Sequence, residues 1–236
     1  FIIFLPIIIR ILFRLSLSNK MIIAKNIHFS YNKLKVLNGV NLNIKKGEFV
    51  SIIGASGAGK STLLHLIGTL DTLQQGSLII NNKDVKSLTE KDLAVIRNQD
   101  IGFVFQFHNL LNEFTALENI CLPAYLKGTS KLVAEEKGKE LLNMLDLSNK
   151  AEMKPDQLSG GEQQRIAVAR ALVNSPSILL ADEPSGNLDS KNANDLHTLF
   201  LKLNKELGQT IIVITHNLEL SKLADRSLEI KDGKII

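Results

Sequence analysis

Phe49-Val50-Ser51-Ile52-Ile53-Gly54-Ala55-Ser56-Gly57-Ala58-Gly59-Lys60-Ser61 decides the fold class. A short apolar run bounded by glycines predicts a buried strand. Beyond the turn, Leu63, Leu64, Ile67 and Leu70 recur at helical spacing. Gly54 to Ser61 matches G-x-x-x-x-G-K-[ST], and strand, glycine loop and helix in that order is the setting the motif requires. The glycines let backbone N–H groups turn inward around phosphate oxygens, while the helix points its positive end at the same anion. Lys60 supplies a point charge to the outer phosphates, and Ser61 offers a hydroxyl to Mg²⁺.

Two later motifs narrow the reading. Ile178-Leu179-Leu180-Ala181 reads as a buried strand that ends in Asp182-Glu183. Adjacent carboxylates at a buried strand end are costly unless paired or used. Beside a phosphate loop, Asp182 is expected to help hold Mg²⁺ and Glu183 to orient and deprotonate the attacking water. Leu158-Ser159-Gly160-Gly161-Glu162-Gln163 contains the capping box S-x-x-E at a helix start. Capping does not require its two glycines, which expose N–H groups suited to an anion.

The surrounding pattern is α/β. Ile22, Ile23, Ile27 and Phe29, then Leu37, Val40, Leu42 and Ile44, are spaced as strands, with a turn at Lys46-Gly47. Leu78–Ile80, Ile101–Phe105 and Thr210–Thr215 are further strand candidates. Residues 115–150 read as helical with a break near Pro123 and Gly128. Ser159–Val173 and Asn192–Leu207 read as helices, and Asp232-Gly233 as a hairpin turn. Alternating strands and helices in the later half predict a mostly parallel sheet.

Composition excludes several classes. The single Cys121 forbids an internal disulfide, and the five histidines lack metal-ligand spacing. The net charge of +4 owes most of its excess to Arg10, Arg14 and Lys20; without these the chain is nearly neutral, with no basic face for nucleic acid. Residues 1–20 are apolar but interrupted by Pro6, Arg10 and Arg14. The uncharged run Phe1–Ile9 is too short to span a bilayer. This stretch is expected to be a leader outside the native protein, which would begin at Met21; a membrane-surface anchor is the alternative. Cys121 and His65 read as packing residues.

Taken together, Gly54–Ser61, Leu158–Gln163 and Leu179–Glu183 resemble the ATP-binding cassette family over the chain from about Met21 to its end. The resemblance implies a phosphate-loop NTPase (RecA-like) core, an antiparallel β subdomain and a small helical subdomain at about 107–160. It implies ATP bound by Gly54, Ala55, Ser56, Gly57, Ala58, Gly59, Lys60, Ser61 and Thr62, with Mg²⁺ held by Ser61, Gln106 and Asp182. Tyr31 resembles the aromatic that stacks on adenine. Gln106 resembles the glutamine that senses Mg²⁺, and His216 the switch histidine at the γ-phosphate. Ser185-Gly186-Asn187-Leu188-Asp189 resembles the loop that crosses a dimer interface. The expected assembly is a head-to-tail homodimer in which each ATP lies between one copy's phosphate loop and the other's Ser159, Gly160 and Gly161. It would drive membrane permease subunits from the cytoplasmic face of the inner membrane.

Phe107-His108-Asn109-Leu110-Leu111, after Gln106, resembles a subgroup serving lipoprotein release, macrolide export and cell division, and its wording is most similar to the lipoprotein-releasing members. Three positions depart from the usual pattern: Asn112 for proline, Ser185 for threonine and Asn217 for aspartate. The alternatives left open are a division-type or export cassette and a cassette without a transporter. One cassette and no sustained heptads weigh against the last.

Overall fold

The computed structural model describes residues 20–236. The expected leader lies, apart from Lys20, outside the described residues. Two sheets organise the molecule. The first has the order β2-β1-β4-β5 and is antiparallel. Its strands are β1 (Lys20–Tyr31), β2 (Leu34–Lys45), β4 (Gln75–Ile80) and β5 (Lys83–Asp84). β2 buries Val40, Leu42 and Ile44 in strict alternation, and Leu37 joins them across a one-residue slip at Gly39, where φ is 78°. In β1 the alternation slips between Ala24 and Ile27. There Asn26 takes φ 50° and its amide bonds Asn41 Oδ1 at 3.0 Å, a bulge that returns Ile27 and Phe29 to the core.

The second sheet runs β10-β9-β3-β8-β7-β6. It comprises β3 (Phe49–Ile53), β6 (Ile101–Val104), β7 (Ile178–Asp182), β8 (Thr210–Ile214), β9 (Arg226–Lys231) and β10 (Lys234–Ile235). All its pairings are parallel except the β9–β10 hairpin, which turns at Asp232 and Gly233 with φ of 48° and 71°. Burial on both faces explains why β3, β7 and β8 read as continuous apolar runs. Val50, Ile52, Ile178, Leu180, Ile212 and Ile214 face the antiparallel sheet and the phosphate helix α1 (Lys60–Ile67). Phe49, Leu179, Ala181, Ile211 and Val213 face the helices on the other side.

Those helices are α3 (Ala116–Leu126), α4 (Lys131–Met144), α5 (Gly160–Leu172), α6 (Ser190–Leu207) and α7 (Leu218–Leu223). A further helix, α2 (Glu90–Gln99), went unread in the sequence; its Thr89/Asp92 capping box was the available signal.

Three local expectations need correction. α1 ends at Ile67, so Leu70 is not on its face and is 47% exposed. Thr69 at φ 54° turns the chain away at that point. Pro123 does not break α3, which continues to Leu126. The Pro123 carbonyl instead accepts from Asn98 and Asn174, each at 3.0 Å. The strand after α2 stops at Val104 rather than Phe105.

Candidate functional site

A cleft of about 570 Å³ opens at the carboxyl ends of β3, β7 and β8. In parallel α/β sheets this edge is where ligands bind. The phosphate loop forms its floor. Gly59 takes φ 104°, and a Cβ there would meet Val36 O at 2.9 Å and Leu37 Cδ2 at 2.8 Å, so only glycine lets β2 pass this close. Lys60 donates to the carbonyls of Gly54 and Ala55, both at 2.9 Å, which folds its ammonium over the loop. The first turn of α1 contains no acidic side chain to compete for its exposed N–H groups.

Gly54, Ser56, Gly57, Gly59, Lys60, Ser61 and Thr62 line this cleft, with Tyr31, Gln106, Asp182, Glu183 and His216. Ala55 and Ala58 line the adjoining cavity on the loop's other side, against the β9–β10 hairpin. Tyr31 is 46% exposed, and its hydroxyl donates to Asp71 Oδ2 at 2.9 Å. Burial, and then the bond to Asp71, push its phenol pKa up.

Asp182 ends β7. Burial pushes its carboxyl pKa up, while a bond with Ser61 and the nearby His65 and Lys60 pull the other way. Ser61, Asp182 and Gln106 all line the cleft and carry hard oxygen donors, the first two bonded to each other. Among the described residues no group of three or more His, Cys, Asp or Glu could hold a metal ion. The oxygen donors of Ser61, Asp182 and Gln106 are of the kind that would hold Mg²⁺, a hard cation that keeps further ligands from phosphate and water.

Glu183 lies at φ 45°, unusual for a non-glycine residue. Its amide donates to Ile214 O at 2.9 Å and its carbonyl accepts from Gly186 at 3.0 Å, which together impose that backbone. Its Oε2 lies 2.8 Å from His216 Nδ1 and 3.2 Å from the His216 amide. Gln106 Nε2 donates to Asn187 Oδ1 at 3.2 Å, and Asn187 Nδ2 donates back to Gln106 O at 3.3 Å. The chain at Gln106 and the Ser185–Asp189 loop are thus joined.

Ser159, Gly160 and Gly161 do not line this cleft. Ser159 caps α5, accepting from Glu162 N at 3.3 Å, and Glu162 Oε2 accepts from Ser159 N at 2.8 Å. The two glycines differ. Gly161 is buried, and a Cβ there would meet Asn192 Oδ1 at 2.0 Å, so it serves the packing of α5 against α6. Gly160 is exposed, with only Leu188 Cδ2 at 3.9 Å from such a Cβ.

The sequence reading missed the ties between α5 and the segment from Phe105 to Asn109 that flanks Gln106. Gln164 donates to Phe105 O at 3.1 Å; Arg170 donates to His108 O at 2.8 Å and Asn109 O at 2.7 Å. These residues sit in a helix whose periodicity already accounts for them, so no local signal marked them.

Fold and cleft define a phosphate-loop nucleoside triphosphatase. The profile of the ABC transporter family matches residues 37–186. The lipoprotein-releasing system ATP-binding protein LolD of Bacteroides thetaiotaomicron is 51% identical over 215 residues, covering 91% of this chain and 99% of that protein. That of Aquifex aeolicus is 51% identical over 213 residues, covering 90% and 95%. A solved dimeric ATP-binding cassette in a post-hydrolysis state bound to ADP and phosphate is 43% identical, with a TM-score of 0.83, over 91% of this chain and 96% of that one. The chain belongs to the ABC transporter family.

Proposed function

We propose that this chain is the ATP-hydrolysing subunit of an ABC transporter that releases lipoproteins from the inner membrane, and that it sits peripherally on the cytoplasmic face of that membrane and drives separate permease subunits. One observation carries the ATPase cycle. The cleft gathers the phosphate loop, Asp182, Glu183, Gln106 and His216, while Ser159 and Gly160 stand exposed outside it. A helix start with a bare glycine and free N–H groups suits a triphosphate held by a second copy. Two copies then sandwich two ATP molecules, and the solved relative named above is itself dimeric.

In this reading Lys60 and the loop amides hold the β- and γ-phosphates, and Tyr31 stacks on the base. Ser61, Asp182 and Gln106 would hold Mg²⁺, which neutralises charge on the phosphates. Glu183 accepts a proton from water, whose oxygen attacks the terminal phosphorus as the bond to ADP breaks. His216, paired with Glu183, positions the γ-phosphate. General-base assistance of this kind is worth about 10²–10⁴ in rate. E183Q is expected to lose hydrolysis by that order and to accumulate as an ATP-held dimer. Size-exclusion chromatography with ATP checks it, and a monomer that turns over normally would remove Glu183 from this role.

The lipoprotein assignment is supported by the names of relatives sharing about half the sequence and by the exposed Phe107 and Leu111 beside Gln106, a surface for a permease. No helix among the described residues is long and apolar enough to cross a membrane. Purification from membranes with mild detergent is expected to bring down a permease that binds lipoproteins. Recovery of a division protein or a drug exporter would redirect the assignment within the subgroup; recovery of ribosomes or nucleic acid would overturn it.

A further inference from the structure

We propose that Asp71 is a positioning residue for the nucleotide base: it fixes the Tyr31 ring against the cleft before ATP arrives. The inference rests on the reading of Tyr31 as the base-stacking surface. Tyr31 ends β1 at the sheet margin, where an aromatic side chain ordinarily samples several rotamers. Here it is held by Asp71 and Phe29, and its hydroxyl also meets the Thr62 side chain. Its hydroxyl donates to Asp71 Oδ2 at 2.9 Å, and its ring meets Phe29 edge-on, with centroids 4.8 Å apart at 79°. Nearly half of the residue stays open while it lines the cleft.

Asp71 belongs to none of the recognised motifs, yet its turn is built with care. Thr69, a β-branched residue, adopts φ 54°, a strained conformation. The Arg97 guanidinium holds the Thr69 carbonyl from α2. The amides of Leu70 and Asp71 both return to His65 O, at 2.8 and 3.4 Å. His65 Nδ1 lies 3.8 Å from Asp71 Oδ2, so this histidine is more than the packing residue expected from sequence. The turn directs Asp71 back along α1 towards Tyr31. One helix thereby serves both ends of the nucleotide: its N-terminus faces phosphate, and the turn after its C-terminus holds the base platform.

Pre-ordering one ring removes an entropy cost that binding otherwise carries, an effect of about three- to tenfold in affinity. It acts on the base alone. The test titrates the purified full chain with Mg-ATP and, separately, with inorganic tripolyphosphate, and measures KM and kcat for ATP hydrolysis. D71A and Y31F should each weaken ATP binding about three- to tenfold. The double variant should lose no more than either single one, and tripolyphosphate affinity should hold throughout. D71N keeps an acceptor for the Tyr31 hydroxyl and should recover most of the loss. The change should fall on KM rather than kcat. If Y31A weakens ATP relative to tripolyphosphate but D71A does not, the positioning role is wrong while the base-stacking reading stands. If Y31A leaves that ratio unchanged, the base-stacking reading fails and the inference with it. If D71A weakens both ligands equally, Asp71 merely supports the fold.

Discussion

Ser185, read from the sequence as a departure from the family's pattern, places its hydroxyl 3.1 Å from Nε2 of the buried His197. Burial holds that imidazole below its ordinary pKa, so a neutral ring shares the bond. S185A would strand a buried ring nitrogen and should cost about 1–3 kcal/mol, measured by urea unfolding. An unchanged midpoint would show the pair to be incidental. Asn217, in place of the usual aspartate, still caps its helix: Oδ1 accepts from Glu219 N at 2.8 Å and Leu220 N at 3.1 Å. Neither departure removes a group from the cleft. The phosphate-loop residues were legible because their chemistry is local, with spacing set by one turn. Asp71 was not, because its partner Tyr31 lies 40 positions away.

Among the elements, α5 carries the most linked duties. Its capping box joins Ser159 to Glu162, and Lys150 Nζ lies 3.1 Å from Glu162 Oε1. The Ser159 amide first, then Lys150 and the Ser159 hydroxyl, hold the Glu162 carboxyl below its ordinary range against the opposing effect of burial. A depressed carboxyl contributes stability that is fully present above its unfolded pKa, about 4.3 for glutamate, and is lost as pH falls through the lower folded value. E162Q should therefore be less stable than the parent at neutral pH by about 0.3–1 kcal/mol. It should converge on the parent as pH drops below the glutamate range. Thermal melts across pH check this; a constant gap would mean the charge contributes nothing. Through Gln164 and Arg170 the same helix holds the backbone on both sides of Gln106, at Phe105 and at His108 and Asn109, so α5 and this segment form one connected unit. Its capping box was readable because it spans only Ser159 to Glu162; its grip on the Phe105–Asn109 segment was not, because that spans about sixty positions.

Across the molecule, the parallel order β3-β8-β7-β6 assembles the cleft from Gly54, His216, Asp182, Glu183 and Gln106, each at the end of its strand or just beyond. A ligand bound only by this folded arrangement stabilises it by mass action, about 2.7 kcal/mol at a hundredfold excess over Kd. Mg-ATP should raise the unfolding midpoint of the parent accordingly, and K60A should abolish that rise. A K60A chain stabilised as fully as the parent would take Lys60 out of phosphate binding.

The sequence by itself determined the phosphate loop, the carboxylate pair, the capped signature helix and the alternation of strand and helix. Each rests on chemistry or periodicity within a few residues. Only the tertiary structure decided which glycine of the signature packs and which stays bare, that Pro123 continues its helix, and that Glu183 faces His216. It alone set Tyr31 on Asp71. Those outcomes depend on surfaces far apart along the chain meeting in space, and no local pattern encodes such a meeting.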